Sequence, residues 1–123
     1  MSQAGPKQRL GKWGETAAAD FLSRNGYRLV AKNLRTPHGE IDLLVEKDGV
    51  TVFVEVKTRS GLGYGRPEES VTREKQSHLL AAIAYYWQTY PGEETDWRVD
   101  VVAVVRRENG KEVEIVHFEN AIG

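Results

Sequence analysis

The sequence predicts an α/β fold in which two helices lie on opposite faces of one mixed sheet. Three observations indicate it: a helical period near the start, two adjacent strands joined by Asp48-Gly49, and a second helical segment between two apolar strands. Asp-Gly is a strong hairpin signal. A helix between two strands typically makes a parallel crossover, expected to be right-handed. The predicted element order is therefore α-β-β-β-α-β-β.

The first half of the chain contains a helix, a strand and a hairpin. The helix is predicted from about Pro6 to Asn25, because a proline suits a first turn and Asn-Gly a C-terminal stop. Its apolar residues recur at three- and four-residue spacing: Leu10, Trp13, Ala17, Phe21 and Leu22. A strand is predicted over 27–34, and the hairpin strands over 40–47 and 50–58.

The second half begins with a glycine-rich segment, 59–69, which we expect to be a mobile loop. Ser70 or Thr72 would cap a helix that runs to about Tyr90. That helix is predicted to bury four side chains: Leu79, Leu80, Ile83 and Trp87. A strand from Trp97 to Val105 is apolar nearly throughout, as in a strand buried on both faces, and 113–118 forms the last strand. Asp100 is expected to be a satisfied structural carboxylate rather than a ligand.

The length and amino-acid composition of the chain limit the class of protein to which it can belong. The chain has 123 residues, 40% of them hydrophobic, which fits a single domain over 1–123 with a flexible tail at 1–5. It has no cysteine, which excludes disulfides and thiolate metal sites. No signal peptide is visible, and the longest uncharged apolar run is too short to span a membrane. We therefore expect a soluble cytoplasmic protein without a membrane partner.

Charge is unevenly distributed along the chain. The net charge is −1, but residues 1–39 carry seven basic and two acidic side chains. Such a segment could contact phosphates, and a solvated helix face and loop explains the charge equally well. The candidate nucleic-acid contacts are Arg24, Arg28, Lys32, Arg35 and, after the hairpin, Arg59.

The hairpin carries acidic residues within apolar runs, where charges are rare unless paired or bound to a metal. If Asp48-Gly49 is the loop, Asp42 lies opposite Glu55 and Glu40 opposite Lys57. One face would then hold Glu40, Asp42, Leu44, Phe53, Glu55 and Lys57. The other would be a core face of Ile41, Leu43, Val45, Val52, Val54 and Val56.

Opposed carboxylates repel each other across a strand pair, and a divalent cation would remove that repulsion. Carboxylate oxygens are the ligands that magnesium prefers. A lysine two residues along the same face would orient a water or stabilise charge on a phosphate. The alternative is a solvated sheet face with ordinary surface charges.

An Asp followed by Glu-x-Lys on the next strand resembles the core of the PD-(D/E)xK nuclease superfamily. Longer segments, in family order, resemble the YraN family of uncharacterised bacterial proteins, which is similar to archaeal Holliday-junction resolvases. These segments are Gly14-Glu15 with Ala18, Gly26-Tyr27, Asn33-x-Arg35, Gly-Glu-Ile-Asp-Leu at 39–43, Phe-Val-Glu-Val-Lys-Thr-Arg at 53–59 and Val-Asp-Val-Val at 99–102. Gln76 is followed four residues later by leucine rather than tyrosine, which disfavours the RecB-like branch.

The resemblance implies a restriction-endonuclease-like fold, with Asp42 and Glu55 as ligands of Mg²⁺ or Mn²⁺ and Lys57 as the catalytic lysine. It suggests Glu15 as a further acidic residue, whose side chain could equally point to the site or to solvent. Glu40 would tune Lys57 or bind a second metal. The expected function is a metal-dependent endonuclease on DNA, with branched or single-stranded substrates and a homodimer left open. The alternative is a non-catalytic nucleic-acid-binding or assembly module on the same fold.

The three histidines of the chain are weaker candidates for site residues than the acidic residues and Lys57. His38 lies beside the predicted site and could touch a phosphate, but a surface turn residue is the favoured interpretation. His78 and His117 have no metal-ligand spacing with each other or with His38.

Overall fold

The structure is a computed structural model that describes the backbone of residues 6–60, 73–106 and 113–122. It contains seven elements in the predicted order. They are α1 (Pro6–Arg24), β1 (Arg28–Thr36), β2 (Gly39–Lys47), β3 (Val50–Ser60), α2 (Arg73–Thr89), β4 (Trp97–Arg106) and β5 (Val113–Phe118). The predicted tail at 1–5, the loop from 61 to 69 and the capping residues Ser70 and Thr72 lie outside the described ranges.

The five strands form one mixed sheet in the order β1-β2-β3-β4-β5. Three neighbouring pairs are antiparallel, whereas β3 and β4 are parallel and are connected through α2. A parallel pair needs a long crossover because a tight turn cannot bring two strands into the same direction. The predicted crossover and mixed sheet are both confirmed.

Two strands continue two residues past their predicted ends, and the other strand bounds agree with the prediction to within one residue. β1 continues to Thr36, two residues beyond the predicted end, where Thr36 still pairs with Gly39. β3 continues through Arg59 and Ser60, which were expected in the loop. Both residues pair with β4, so the parallel partner extends the strand past the point at which local sequence suggests a loop.

Two hydrophobic clusters lie on opposite faces of the sheet, because successive strand residues point to opposite sides. The cluster under α1 contains Ala18 and Leu22 with Leu43, Val45, Val52, Val54, Val102 and Val104. The cluster under α2 contains Leu79, Ala82 and Ile83 with Ile41, Leu44, Phe53 and Val99. The prediction of one helix on each face is therefore confirmed, and neither helix in the described part of the chain is long and apolar enough to cross a membrane.

The prediction that α2 buries Leu80 is wrong. Leu79 and Ile83 are in the core, but the side chain of Leu80 is 44% exposed. A helix packed on a sheet buries one stripe of its surface, and a residue next to a buried one points about 100° away from it. Position 80 therefore falls on the solvent side of α2.

Asp100 is the fully buried carboxylate of β4, and its hydrogen bonds connect several segments. Its oxygens accept bonds from Arg98 Nε at 3.0 Å and from the Asn120 backbone N at 2.9 Å, and its Oδ2 lies 2.7 Å from His117 Nε2. Arg98 in turn donates to the Tyr27 hydroxyl at 2.8 Å. Asp100 is thus the satisfied structural carboxylate that the sequence predicted.

Burial alone would raise the pKa of Asp100, but the hydrogen bonds from His117, Arg98 and Asn120 outweigh it and hold the pKa below the ordinary value. The ionised form is therefore the native form. A carboxylate with a lowered folded-state pKa contributes stability above its unfolded pKa and loses that contribution as the pH falls through its folded pKa.

Asp100→Ala is expected to lower the free energy of unfolding at pH 7 by about 3 kcal/mol, because it leaves Arg98 without its buried partner. The loss should shrink below about pH 4, because the unfolded chain then takes up the proton first and the parent gives up this stabilisation as the pH falls toward the lowered folded pKa of Asp100. Urea unfolding between pH 3 and pH 7 measures both effects. Asp96→Ala, at an exposed position, is the control. Equal losses for the two variants would contradict the structural role of Asp100.

Candidate active site

The site begins where β2 and β3 separate. Their antiparallel pairing runs from Lys47 opposite Val50 to Leu43 opposite Val54, in the predicted register. Past that point Asp42 Oδ2 accepts a hydrogen bond from the Val56 backbone N at 2.8 Å. A side-chain carboxylate thus serves as acceptor for the β3 backbone and leaves a gap between the strands.

The extension of that register toward the acidic residues needs correction. The sequence predicted Asp42 opposite Glu55 and Glu40 opposite Lys57 as ladder pairs, but the β2–β3 pairing stops before both. The physical reason is the bond from Val56 N to the Asp42 carboxylate, which takes a donor that a regular ladder would give to a backbone carbonyl.

The predicted alternation of faces also breaks at this point. Ile41 was expected beside Leu43 on the core face, but it packs with Leu44 in the cluster under α2. Two residues three apart share a face only if the strand is irregular between them. The irregularity lies around Asp42. The regular alternation of faces therefore holds only between Asp42 and the Asp48-Gly49 turn.

Glu15 reaches the acidic residues of β2 from α1. The carboxylate oxygens of Glu15, Glu40 and Asp42 lie within 4.8 Å of one another. The preceding residue, Gly14, permits this approach, because a Cβ there would overlap the side chain of Thr58 on β3. The sequence left Glu15 divided between site and solvent, and the structure places it with the carboxylates.

The pKa of Asp42 is raised to about 8, first by burial and then by the charge of Glu55. The hydrogen bond from Val56 lowers it, and Glu15 and Glu40 raise it further. The pKa of Glu15 is raised as well, by burial and by Glu40. Crowded carboxylates favour the protonated form in this way unless a cation neutralises them.

Glu55 and Lys57 form an ion pair on β3. Glu55 Oε1 lies 3.1 Å from Lys57 Nζ, and the lysine side chain is only 10% exposed. Both line a cavity of about 230 Å³ that is also lined by His38 and by His78 and Leu79 of α2. Glu55 and Lys57 thus face the α2 side of the gap, while Glu15 of α1 closes its other side.

Asn33 is a candidate site residue that the functional reasoning from sequence missed. It has a φ of 50°, a left-handed conformation that asparagine tolerates better than most residues. With its amide nitrogen oriented toward the carboxylates, it donates to Glu15 Oε2 at 2.6 Å and to Glu40 Oε1 at 2.8 Å. The Asn33-x-Arg35 segment supported the family resemblance, but nothing local assigns an asparagine in a strand to an acidic cluster.

Two of the candidate phosphate contacts, Lys32 and Arg35, lie close to the carboxylates. Arg35 Nε is 3.8 Å from Glu40 Oε2. Lys32 opposes the effects of burial and Glu40 on the pKa of Glu15. Arg59, at the end of β3, donates to the backbone oxygen of Thr58 at 3.0 Å.

Arg24 and Arg28 occupy a different part of the surface. Arg24 pairs with Asp20 within α1, and Arg28 pairs with Glu46 at 2.9 Å. Glu46 lies four residues from Asp42 along β2, a separation of roughly 13 Å. The five basic candidates therefore divide into Lys32 and Arg35 beside the carboxylates, Arg59 at the end of β3, and a pair held elsewhere by acidic partners.

The mixed sheet, the helix on each face and the order of elements define an α/β protein with the restriction-endonuclease-like fold. Where two of its central strands diverge, Glu40 of the acidic cluster lines the same cavity as the Glu-x-Lys pair, and the charge of Glu55 acts on Asp42.

The chain belongs to the uncharacterised protein family UPF0102, whose sequence profile matches residues 14–104. It is similar to a UPF0102 protein of Clavibacter michiganensis, 47% identical over 89% of this chain and 94% of that one. Those of Syntrophotalea carbinolica and Roseiflexus castenholzii are both 42% identical, over 91% and 96% of this chain and 89% and 96% of theirs. The YraN-like resemblance drawn from sequence is confirmed.

Asp42→Asn is expected to raise the free energy of unfolding by about 2 kcal/mol at pH 8 without divalent cations, because it removes a buried charge that its neighbours repel. With a folded pKa near 8 and an ordinary value of 3.8, the parent should lose stability as pH rises between these values, since the unfolded chain releases the proton first. Urea unfolding in EDTA from pH 5 to pH 9 compares the two proteins. Parallel pH profiles would refute the raised pKa.

Proposed function

We propose that this protein is a Mg²⁺- or Mn²⁺-dependent endonuclease that hydrolyses DNA phosphodiesters. The observation that carries the proposal is that the cluster of Glu15, Glu40 and Asp42 lies beside the ion pair of Glu55 with the buried Lys57, at the gap between β2 and β3. Acidic groups with raised pKa values beside a buried lysine are typical of sites that perform chemistry.

The donor set fits a hard divalent cation. Asp42 and Glu55 are the proposed ligands, and the carboxylates of Glu15 and Glu40 lie near enough to Asp42 to complete or extend the set. Oxygen ligands and excess negative charge are what Mg²⁺ and Mn²⁺ require. Such an ion, when bound, neutralises charge on the scissile phosphate and lowers the pKa of a water.

Lys57 has the role of orienting the attacking water. Its ion pair with Glu55 and its burial restrict the side chain, so its ammonium group is preorganised rather than mobile. Asn33 keeps Glu15 and Glu40 in place through its amide. These groups position a phosphodiester and a water. The water oxygen forms a bond to phosphorus while one P–O ester bond breaks, so one product end carries a phosphate and the other a hydroxyl, which takes up a proton.

Lys32 and Arg35 are the proposed contacts for the phosphates that flank the cut, because they lie beside the acidic group that would hold the metal. Each copy of the chain supplies one Glu-x-Lys pair. Symmetric cutting of two strands of a branched DNA would therefore take a homodimer.

Magnesium is expected to raise the melting temperature of the parent protein, because an ion bound only to the folded state stabilises it. Asp42→Asn should lose most of that shift while it keeps the fold. Differential scanning calorimetry with 0 and about 10 mM Mg²⁺ tests this, a concentration chosen to exceed typical dissociation constants. Asp48→Asn, in the exposed hairpin turn, is the control. A shift of the same size in Asp42→Asn would reject the ligand assignment.

Lys57→Ala is expected to retain most DNA affinity but to reduce cleavage at least about 100-fold, because oriented charge acts mainly at the transition state. Cleavage of branched, single-stranded and duplex DNA with Mg²⁺ or Mn²⁺ measures the rate. Fluorescence anisotropy with Ca²⁺ measures binding.

Replacing both Lys32 and Arg35 by glutamine is expected to act mainly on binding rather than on cleavage. The double variant should bind DNA more weakly, and its binding should depend less on salt. Arg24→Gln with Arg28→Gln is the matched control, since it removes the same charge away from the carboxylates. If the parent binds DNA but cuts none of the three forms, the nuclease proposal fails. The protein is then a non-catalytic nucleic-acid-binding module, the second function that this fold supports.

A further inference from the structure

The cavity beside Lys57 has a wall that the proposed reaction does not use. Its inner side carries Glu40, Glu55 and Lys57, whereas its outer side carries His38 from the β1–β2 turn with Lys75 and His78 from α2. Three nitrogen-bearing side chains from two separate segments, a turn and a helix, therefore line the cavity together with two carboxylates of the sheet.

We propose that this outer wall binds the phosphate and deoxyribose of the nucleotide adjacent to the scissile phosphate, through His38, Lys75 and His78. The proposal rests on the proposed function, since it assigns part of the DNA strand to the same site. It adds three contacts that neither the acidic residues nor the basic residues of β1 supply.

Charge supports an anion at the outer wall. Lys75 and His78 lie in the first two turns of α2, which begins at Arg73. The ammonium group of Lys75 and a ring N–H of His78 are both donors suited to a phosphate oxygen. The two acidic residues that line the cavity, Glu40 and Glu55, belong to strands of the sheet, where the cation would bind.

The turn that carries His38 is fixed by local hydrogen bonds. Thr36 Oγ1 accepts a bond from the His38 backbone N at 3.1 Å and donates to the Gly39 backbone O at 2.7 Å. The His38 ring lies edge-on to Tyr85 of α2, with centroids 6.2 Å apart. The turn and α2 are thus in contact through these two rings, which fixes the position of His38 at the cavity.

The size of the cavity limits what enters it. A volume of about 230 Å³ is below the roughly 300–1,000 Å³ of typical small-molecule pockets. It suits one phosphate with its sugar. A base-paired nucleotide at this cavity would bring the opposite strand against the turn and α2, so the substrate class is DNA that is unpaired next to the cut.

The three histidines of the chain give a direct test. His38 and His78 line the cavity, whereas His117 is bonded to Asp100 and packs against Phe21 and Tyr27. The parent protein in EDTA is titrated with 2-deoxyribose 5-phosphate, and the histidine ring C–H signals are followed by NMR. The His38 and His78 signals should shift saturably and those of His117 should stay, while 2-deoxyribose without phosphate should shift none.

Two variants test the contacts separately. Lys75→Gln and His78→Gln should each weaken the titration about 3- to 10-fold, the loss expected for one charge-assisted contact at 1.4 kcal/mol per tenfold. Arg73→Gln, on the same helix but outside the cavity lining, should leave it unchanged. Equal weakening in all three variants, or shifts in all three histidines, would overturn the proposal.

The two proposals fail in different ways. If the parent cleaves DNA but deoxyribose 5-phosphate leaves the His38 and His78 signals unmoved, the cavity assignment is wrong and the nuclease proposal stands. If those signals shift saturably but no form of DNA is cut, the cavity assignment stands as a sugar-phosphate site and the nuclease proposal fails.

Discussion

The hydrogen bond from the Val56 backbone N to the Asp42 carboxylate is the contact on which the candidate site depends. It stops the β2–β3 ladder while β3 remains paired with β4. The gap that results admits Glu15 from one side and leaves Glu55 and Lys57 facing a cavity on the other. A sheet paired to its end would have filled this space with backbone, and the acidic groups would have lain on an ordinary surface.

Two interior carboxylates show how local partners decide the state of the same side chain. Both Asp42 and Asp100 are subject to burial, which raises their pKa values. Asp100 is surrounded by donors from Arg98, His117 and Asn120, and its pKa falls below the ordinary value. Asp42 has one backbone donor and acidic neighbours, and its pKa rises to about 8. The lowered pKa of Asp100 fits a structural role, and the raised pKa of Asp42 fits a site that binds a cation.

The acidic cluster also depends on residues without charge. Gly14 lets α1 approach Thr58 closely, and Asn33 bridges two of the carboxylates from a left-handed backbone conformation. Both belong to segments that carried the family resemblance, and both act through geometry. The substitution of either would change the acidic cluster without touching a proposed metal ligand.

The sequence by itself determined the order of elements, the hairpin register and the two-sided core, because hydrophobic periodicity and Asp-Gly turn chemistry are local properties. It also identified Asp100 as structural, since a lone carboxylate in an apolar strand must be satisfied. Only the tertiary structure decided where the β2–β3 ladder ends, which face Ile41 takes and that Glu15 and Asn33 join the acidic group. Those features arise between residues distant in the chain, and no periodicity within one segment encodes them.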